Sequence, residues 1–145
     1  MKVHQLSLFV ENRPGQLRAP CKALADAGVN ILTLSLADTE QFGILRIIVR
    51  EWEKAKEVLE ASDFVVNVTE MVAVAVPDHP GGLADVLEAM EGTGVNVEYM
   101  YAFTTRRGDQ AVLLFRFDDP DSAIEQLGKT AVSMLESDEL YRLFE

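Results

Sequence analysis

Apolar and polar residues alternate from Val3 to Val10, with Leu6, Leu8 and Val10 on one face and Gln5, Ser7 and Phe9 on the other. A period of two is the mark of a half-buried strand. After Pro14-Gly15 the period lengthens: Leu17, Cys21 and Leu24 recur at i, i+4 and i+7, which predicts a helix ended by Gly28. Pro20 removes one early backbone donor, so this helix is expected to start late. Asn30–Ala37 and Gly43–Val49 read as two further strands, Trp52–Ala61 as a helix with Ala55, Val58 and Leu59 inward, and Phe64–Thr69 as a fourth strand. The order then recurs as Val72–Val76, Leu83–Thr93, Asn96–Phe103 and Ala111–Phe117. Asp119-Pro120 is a cap and first turn for the next helix, followed by an expected strand at Thr130–Leu135 and a short tail helix at Asp138–Phe144.

The recurrence is also literal. Pro14-Gly15-Gln16-Leu17 aligns with Pro80-Gly81-Gly82-Leu83, and Gly28-Val29-Asn30-Ile31 with Gly94-Val95-Asn96-Val97, both at an offset of 66. Leu45–Val49 matches Leu113–Phe117 at an offset of 68, which places a two-residue insertion between Asn96 and Leu113. Units of about 70 residues are too long for a solenoid and suit a duplicated small domain. The expected fold class is α+β: two ferredoxin-like βαββαβ sandwiches in tandem, each an antiparallel sheet with helices on one face. The expected domains are residues 1–70, and residues 71–145 with the short C-terminal helix.

Composition narrows the partners. The chain has 13 Lys+Arg against 24 Asp+Glu, a net charge of −11. Such a balance opposes binding to nucleic acid or to an anionic membrane surface. The charge is unevenly placed: residues 1–70 carry 8 basic and 10 acidic side chains, residues 71–145 carry 5 and 14. A single cysteine, Cys21, forms no intrachain disulfide, and the longest apolar run, Met71–Val76, falls far short of the roughly 20 residues a spanning helix needs. With no signal-like N-terminus, a cytoplasmic protein is expected.

Chemistry concentrates in the two loops ahead of the first helix of each unit, Glu11–Leu17 and Pro77–Leu83. A glycine at a helix start lets an anion approach backbone N–H groups, and the helix dipole favours it by ~0.3–1 kcal/mol. A carboxylate suits that position, while Asn12 or Asp78 offers side-chain oxygens to an ammonium group. Asn30 and Asn96, at the start of the following strands, are expected to lie across the same end of the sheet. Together these requirements are those of an α-amino acid. His4 and His79 are the only histidines and belong to no nucleophile or metal constellation, so neither enzyme activity nor a metal or cofactor is expected.

Asn12-Arg13-Pro14-Gly15-Gln16-Leu17 followed by Gly28-Val29-Asn30-Ile31 resembles the signature of ACT domains, small amino-acid-sensing modules, and the resemblance spans nearly the whole chain as a tandem pair. It implies effector contacts at Asn12 and Asn30, with Asp78 and Asn96 at the matching places of the second unit. Val10 stands where serine-binding relatives have a His. It also implies that ligands lie between one domain's loop and a strand of its neighbour. The expected ligand-binding set is Asn12, Arg13, Pro14, Gly15, Gln16, Leu17, Asn30 and Ile31, with Asp78, His79, Gly81, Gly82, Leu83, Asn96 and Val97. The acidic second site is expected to favour a ligand's ammonium over an extra carboxylate.

Tyr99, Tyr101 and Phe103 alternate along the second strand of the second unit; with the register of the first unit they face away from the helices, the favoured reading, and with a flipped register they are core, leaving Glu98 and Met100 outside. Phe9, Ile44, Ile48, Val112 and Leu114 share the outward phase, so an apolar sheet face needs a cover, most simply a second sheet in a homodimer. The tail helix, with Leu140, Leu143 and Phe144, is expected to pack on its own domain, with docking on a partner as the alternative. The sequence therefore reads as a non-catalytic, amino-acid-binding regulatory protein. The alternative is a subunit that binds a metabolic enzyme through its sheets without a ligand.

Overall fold

In the computed structural model, which describes all 145 residues, the N-terminal alternation is a ten-residue strand, β1 (Lys2–Glu11). It is followed by α1 (Arg18–Asp26), β2 (Thr33–Asp38), β3 (Phe42–Ile48), α2 (Trp52–Ala61) and β4 (Asn67–Pro77). The second half continues as α3 (Gly82–Met90), β5 (Val97–Arg107), β6 (Gln110–Phe117), α4 (Pro120–Leu127), β7 (Ser133–Leu135) and α5 (Ser137–Arg142). Two compact units result: His4–Thr69, and Glu70–Glu145 together with Met1–Val3. The expected α+β architecture of two ferredoxin-like units is the one observed.

In the 4–69 unit, β3 pairs antiparallel with both β1 and β2. Leu6, Leu8 and Val10 of β1 and Leu45 and Ile47 of β3 share a face, and with Leu24, Ala55 and Leu59 they form the core under α1 and α2. Each such fully buried aliphatic side chain contributes about 1.5–3 kcal/mol. Pro20 is the third residue of α1, a position whose N–H has no intrahelical acceptor, so the helix begins at Arg18 and tolerates it. Leu34 and Leu36 point to the helix side yet are 51% exposed, because β2 is the edge of this sheet.

In the other unit β4 pairs with β6 on one side and β7 on the other, and β5 lies beyond β6. Val72, Val74, Val76, Phe115 and Phe117 meet Val86, Met90, Ala123 and Leu127 of α3 and α4. Asp119 caps α4 as expected, its carboxylate accepting from the Ser122 N–H at 3.1 Å. Nothing at Glu70-Met71 breaks an extended chain, so the two strands expected at Phe64–Thr69 and Val72–Val76 are one, β4.

The aromatic strand faces as expected: Tyr99 lies opposite Arg116 and Tyr101 opposite Leu114, in register with the non-helix face, while Met100 meets Phe115 on the core side. Part of this face is covered from within its own unit. The α5 segment lies on this face of its own unit, with Phe144 5.7 Å from Phe103 by ring centroids, the Arg107 guanidinium 3.0 Å from the Glu139 carboxylate, and Leu140 fully buried. Within the same unit, the N-terminal amine lies 2.7 Å from Glu136. Lys2 bridges Asp121 and Glu70 at 2.8 Å each, and hydrogen bonding to Asp121 and then Glu70 raises its pKa above the ordinary lysine value.

Candidate functional site

The first loop is fastened by its backbone. β1 ends at Glu11, opposite Phe42. The Asn12 N–H donates to the Gln41 carbonyl at 2.9 Å and its Nδ2 to the Glu40 carbonyl at 2.9 Å, tying the loop to the tip of the β2–β3 hairpin. Asn12 thus has a structural role, because its side-chain amide is engaged with main chain. The Arg13 N–H donates to the Glu11 carbonyl at 2.8 Å, and the exposed Arg13 guanidinium pairs with the Glu11 carboxylate. Gly15 turns the chain at φ +84°, in the left-handed region, and α1 begins three residues on.

Between this loop and the end of β2 lies a cavity of about 150 Å³, lined by Val10, Glu11, Asn12, Arg13, Leu17, Leu36, Asp38 and Gly43. Its walls are apolar at Val10, Leu17, Leu36 and Gly43, and its charges are of both signs. Arg13 is balanced by Glu11, whereas Asp38 is exposed and has no basic partner. A zwitterion fits such a place: a carboxylate toward Arg13 and the start of α1, an ammonium toward Asp38. Of the expected set, Asn12, Arg13 and Leu17 line it; Pro14, Gly15 and Gln16 shape the turn behind it. Asp38 and Gly43 also line this cavity; sequence reasoning missed them, and their signal was the cross-strand pair they form.

The matching loop is built differently. Gly81, at φ +90°, repeats the turn of Gly15, but α3 starts at Gly82, directly against β4. A Cβ on Gly82 would lie 1.9 Å from the Pro77 carbonyl oxygen, so only glycine fits. The Asp78 carboxylate, expected to face a ligand ammonium, sits 2.9 Å from the Arg106 guanidinium. His79 Nδ1 lies 3.0 Å from the Pro80 carbonyl oxygen and Leu83 is partly exposed. A larger cavity, about 210 Å³, lies on the β7 side of α3, where Gly82 is joined by Asp85, Val86, Ala89 and Val132. Its single charged group, Asp85, gives a carboxylate no counter-charge.

One expectation fails on topology. Asn30 and Asn96 do not lie at the same end of the sheet as the loops. Val10 pairs with Gly43, at the start of β3, whereas Thr33 pairs with Ile48, at its end, and Asn30 precedes Thr33. At ~3.3 Å per residue the length of β3 separates Asn12 from Asn30 by more than about 16 Å. The cause is the crossover: β1 and β2 both run antiparallel to β3, so β2 starts where β1 starts. Asn96 is likewise remote from Asp78, its N–H donating to Asp118 Oδ1 at 3.1 Å next to the Val97–Phe117 pair. Ile31 and Val97 belong to these remote ends, half-buried beside the cores.

A family model described as an ACT domain pair matches residues 1–144. The chain belongs to the ACT domain-pair family. Its structure is similar to that of protein BT0572 from Bacteroides thetaiotaomicron, at 38% identity and a TM-score of 0.90 over 99% of this chain and 98% of that one. It also resembles in fold the regulatory subunit of aspartate kinase from Thermus thermophilus in its ligand-free form, at 17% identity and a TM-score of 0.61, covering 89% of this chain and 93% of that one. The corresponding subunit from Thermus flavus gives 16% and 0.60 over the same shares. No match was found among curated proteins. This ACT pair has no helix long and apolar enough to cross a membrane, and no group of three or more His, Cys, Asp or Glu side chains placed to hold a metal ion.

Proposed function

We propose that this ACT pair is a non-catalytic, cytoplasmic regulatory protein that binds an α-amino acid and works as a homodimer, its output directed at a metabolic enzyme. The observation that carries the reading is the cavity beside α1, which sets an unpaired carboxylate, Asp38, across from Arg13 over apolar walls. Neither group is needed for the fold, since both are exposed. The distance between Asn12 and Asn30 supports a site completed by a second copy. β2 is an edge strand with neutral residues from Thr33 to Ala37, the kind of edge that accepts another strand. Antiparallel pairing of two such edges would bring the start of one β2, with Asn30, toward the loop end of the other.

Thermal denaturation in the presence of each of the twenty amino acids tests the reading. At least one raises Tm at millimolar concentration, and Asn30→Ala reduces that shift without lowering the ligand-free Tm. Light scattering gives twice the 16.1 kDa chain mass. A protein that responds to no amino acid overturns the sensor reading in favour of a ligand-free, enzyme-binding subunit.

A further inference from the structure

We infer that each chain holds one working amino-acid site, in the 4–69 unit, that it selects a branched aliphatic side chain, and that the sister site is shut by an internal ion pair. The inference rests on the sensor reading above and adds site number and ligand class to it. Strand register makes the two sites comparable position by position. Val10 pairs with Gly43 and Asp38 with that same Gly43; Val76 pairs with Ala111 and Arg106 with that same Ala111. Arg106 therefore occupies the place of Asp38, and Ala111 the place of Gly43.

This exchange inverts the chemistry. In the first unit the strand end carries a carboxylate with no basic partner, and Asn12 opposite it is neutral. In the second, the strand end carries a guanidinium that lies 2.9 Å from Asp78, the counterpart of Asn12. The pair joins loop to strand where the first unit has its cavity, and each charge meets the need that a ligand's ammonium or carboxylate would otherwise meet. A two-residue register shift in β5, between Ala102 and Arg106, carries Arg106 to that place.

The ligand class follows from the first cavity's walls. Val10, Leu17 and Leu36 offer no hydrogen bond to a side-chain hydroxyl or charge, and a site of this kind disfavours a polar group it cannot pair. A volume of about 150 Å³ is in the range that holds a benzene-sized apolar group. Gly43 keeps it open: a Cβ there would lie 3.0 Å from Leu36 Cδ1. An α-amino acid with a branched four-carbon side chain thus sets its side chain among Val10, Leu17 and Leu36, its ammonium at Asp38 and its carboxylate at Arg13.

Isothermal titration of the full chain with leucine is the test, with serine, aspartate and N-acetyl-leucine alongside. Leucine binds at one per chain, and serine, aspartate and N-acetyl-leucine, which lacks the ammonium, bind at least about tenfold more weakly. Asp38→Asn weakens leucine by about tenfold or more with an unchanged melting temperature, while Arg106→Ser, which releases Asp78, leaves the first site's affinity as it was and adds a second, weaker leucine. Gly43→Ala weakens leucine more than it weakens alanine. Two leucines per wild-type chain, full affinity in Asp38→Asn, or an Arg106→Ser chain that loses the first site or gains no second one overturns the inference. If another amino acid binds but leucine does not, the ligand class fails and the sensor reading stands; if none binds, both fail.

Discussion

The two first-helix loops share Pro-Gly and Leu at matching positions and still build different places. In the 4–69 unit, α1 does not start until Arg18, and a cavity with Asp38 among its lining lies between the loop and β2. In the 70–145 unit, Gly82 lets α3 start two residues earlier relative to the motif and press on the Pro77 carbonyl, and Asp78 is neutralised by Arg106. The open sheet faces differ in the same direction. One carries α5; on the other, Phe9 and Phe42 remain 58% and 43% exposed and meet edge-on at 6.4 Å. Core positions tolerate only size-matched apolar residues, so the shared pattern survives there. The rim positions are free to change sign, and there the units differ.

The largest break in this comparison should come from α5. Leu140→Ala removes a fully buried side chain and should cost about 2–4 kcal/mol in urea unfolding, whereas Val65→Ala, at a residue 78% exposed, should stay within about 0.5 kcal/mol. Equal losses would mean that α5 does not cover its face. The loops come next. Gly82→Ala should cost about 1–3 kcal/mol through the clash with Pro77, while Gln16→Ala, at the matching position, stays near zero. Gly15→Ala and Gly81→Ala should cost the same, about 1 kcal/mol each, because both residues have positive φ and open space around the missing Cβ.

The smallest effect belongs to Lys2. Its raised pKa means that its contribution is complete below the ordinary lysine value of about 10.4 and is lost as pH rises through the higher folded value. Wild type should therefore lose more stability than Lys2→Met on going from neutral to strongly alkaline pH, and the gap should shrink in high salt. A parallel alkaline loss in both would remove the ion pairs with Asp121 and Glu70 as a cause.

Much of this protein is legible in its residues alone. Alternation at Leu6, Leu8 and Val10, the i, i+4, i+7 run through α1, and the Asp119-Pro120 cap are local signals whose physics lies within a few residues. So is the duplication, and with it the ACT pair. The candidate site is legible only in half. Asn12, Arg13 and Leu17 announce themselves by motif, but Asp38, Gly43 and Arg106 carry no motif, since their roles come from cross-strand pairing and from neighbours that no local pattern specifies.

The sequence by itself determined most of the elements, the repeat and the alternation of Tyr99, Tyr101 and Phe103, because periodicity is a property of consecutive residues. Only the tertiary structure decided that Asn12 and Asn30 stand at opposite ends of β3, that the aromatic strand faces away from the helices with Phe144 packed on Phe103, and that Arg106 meets Asp78. Strand direction and register, with the register shifts in β5, set those distances, and each depends on pairing between segments far apart in the chain.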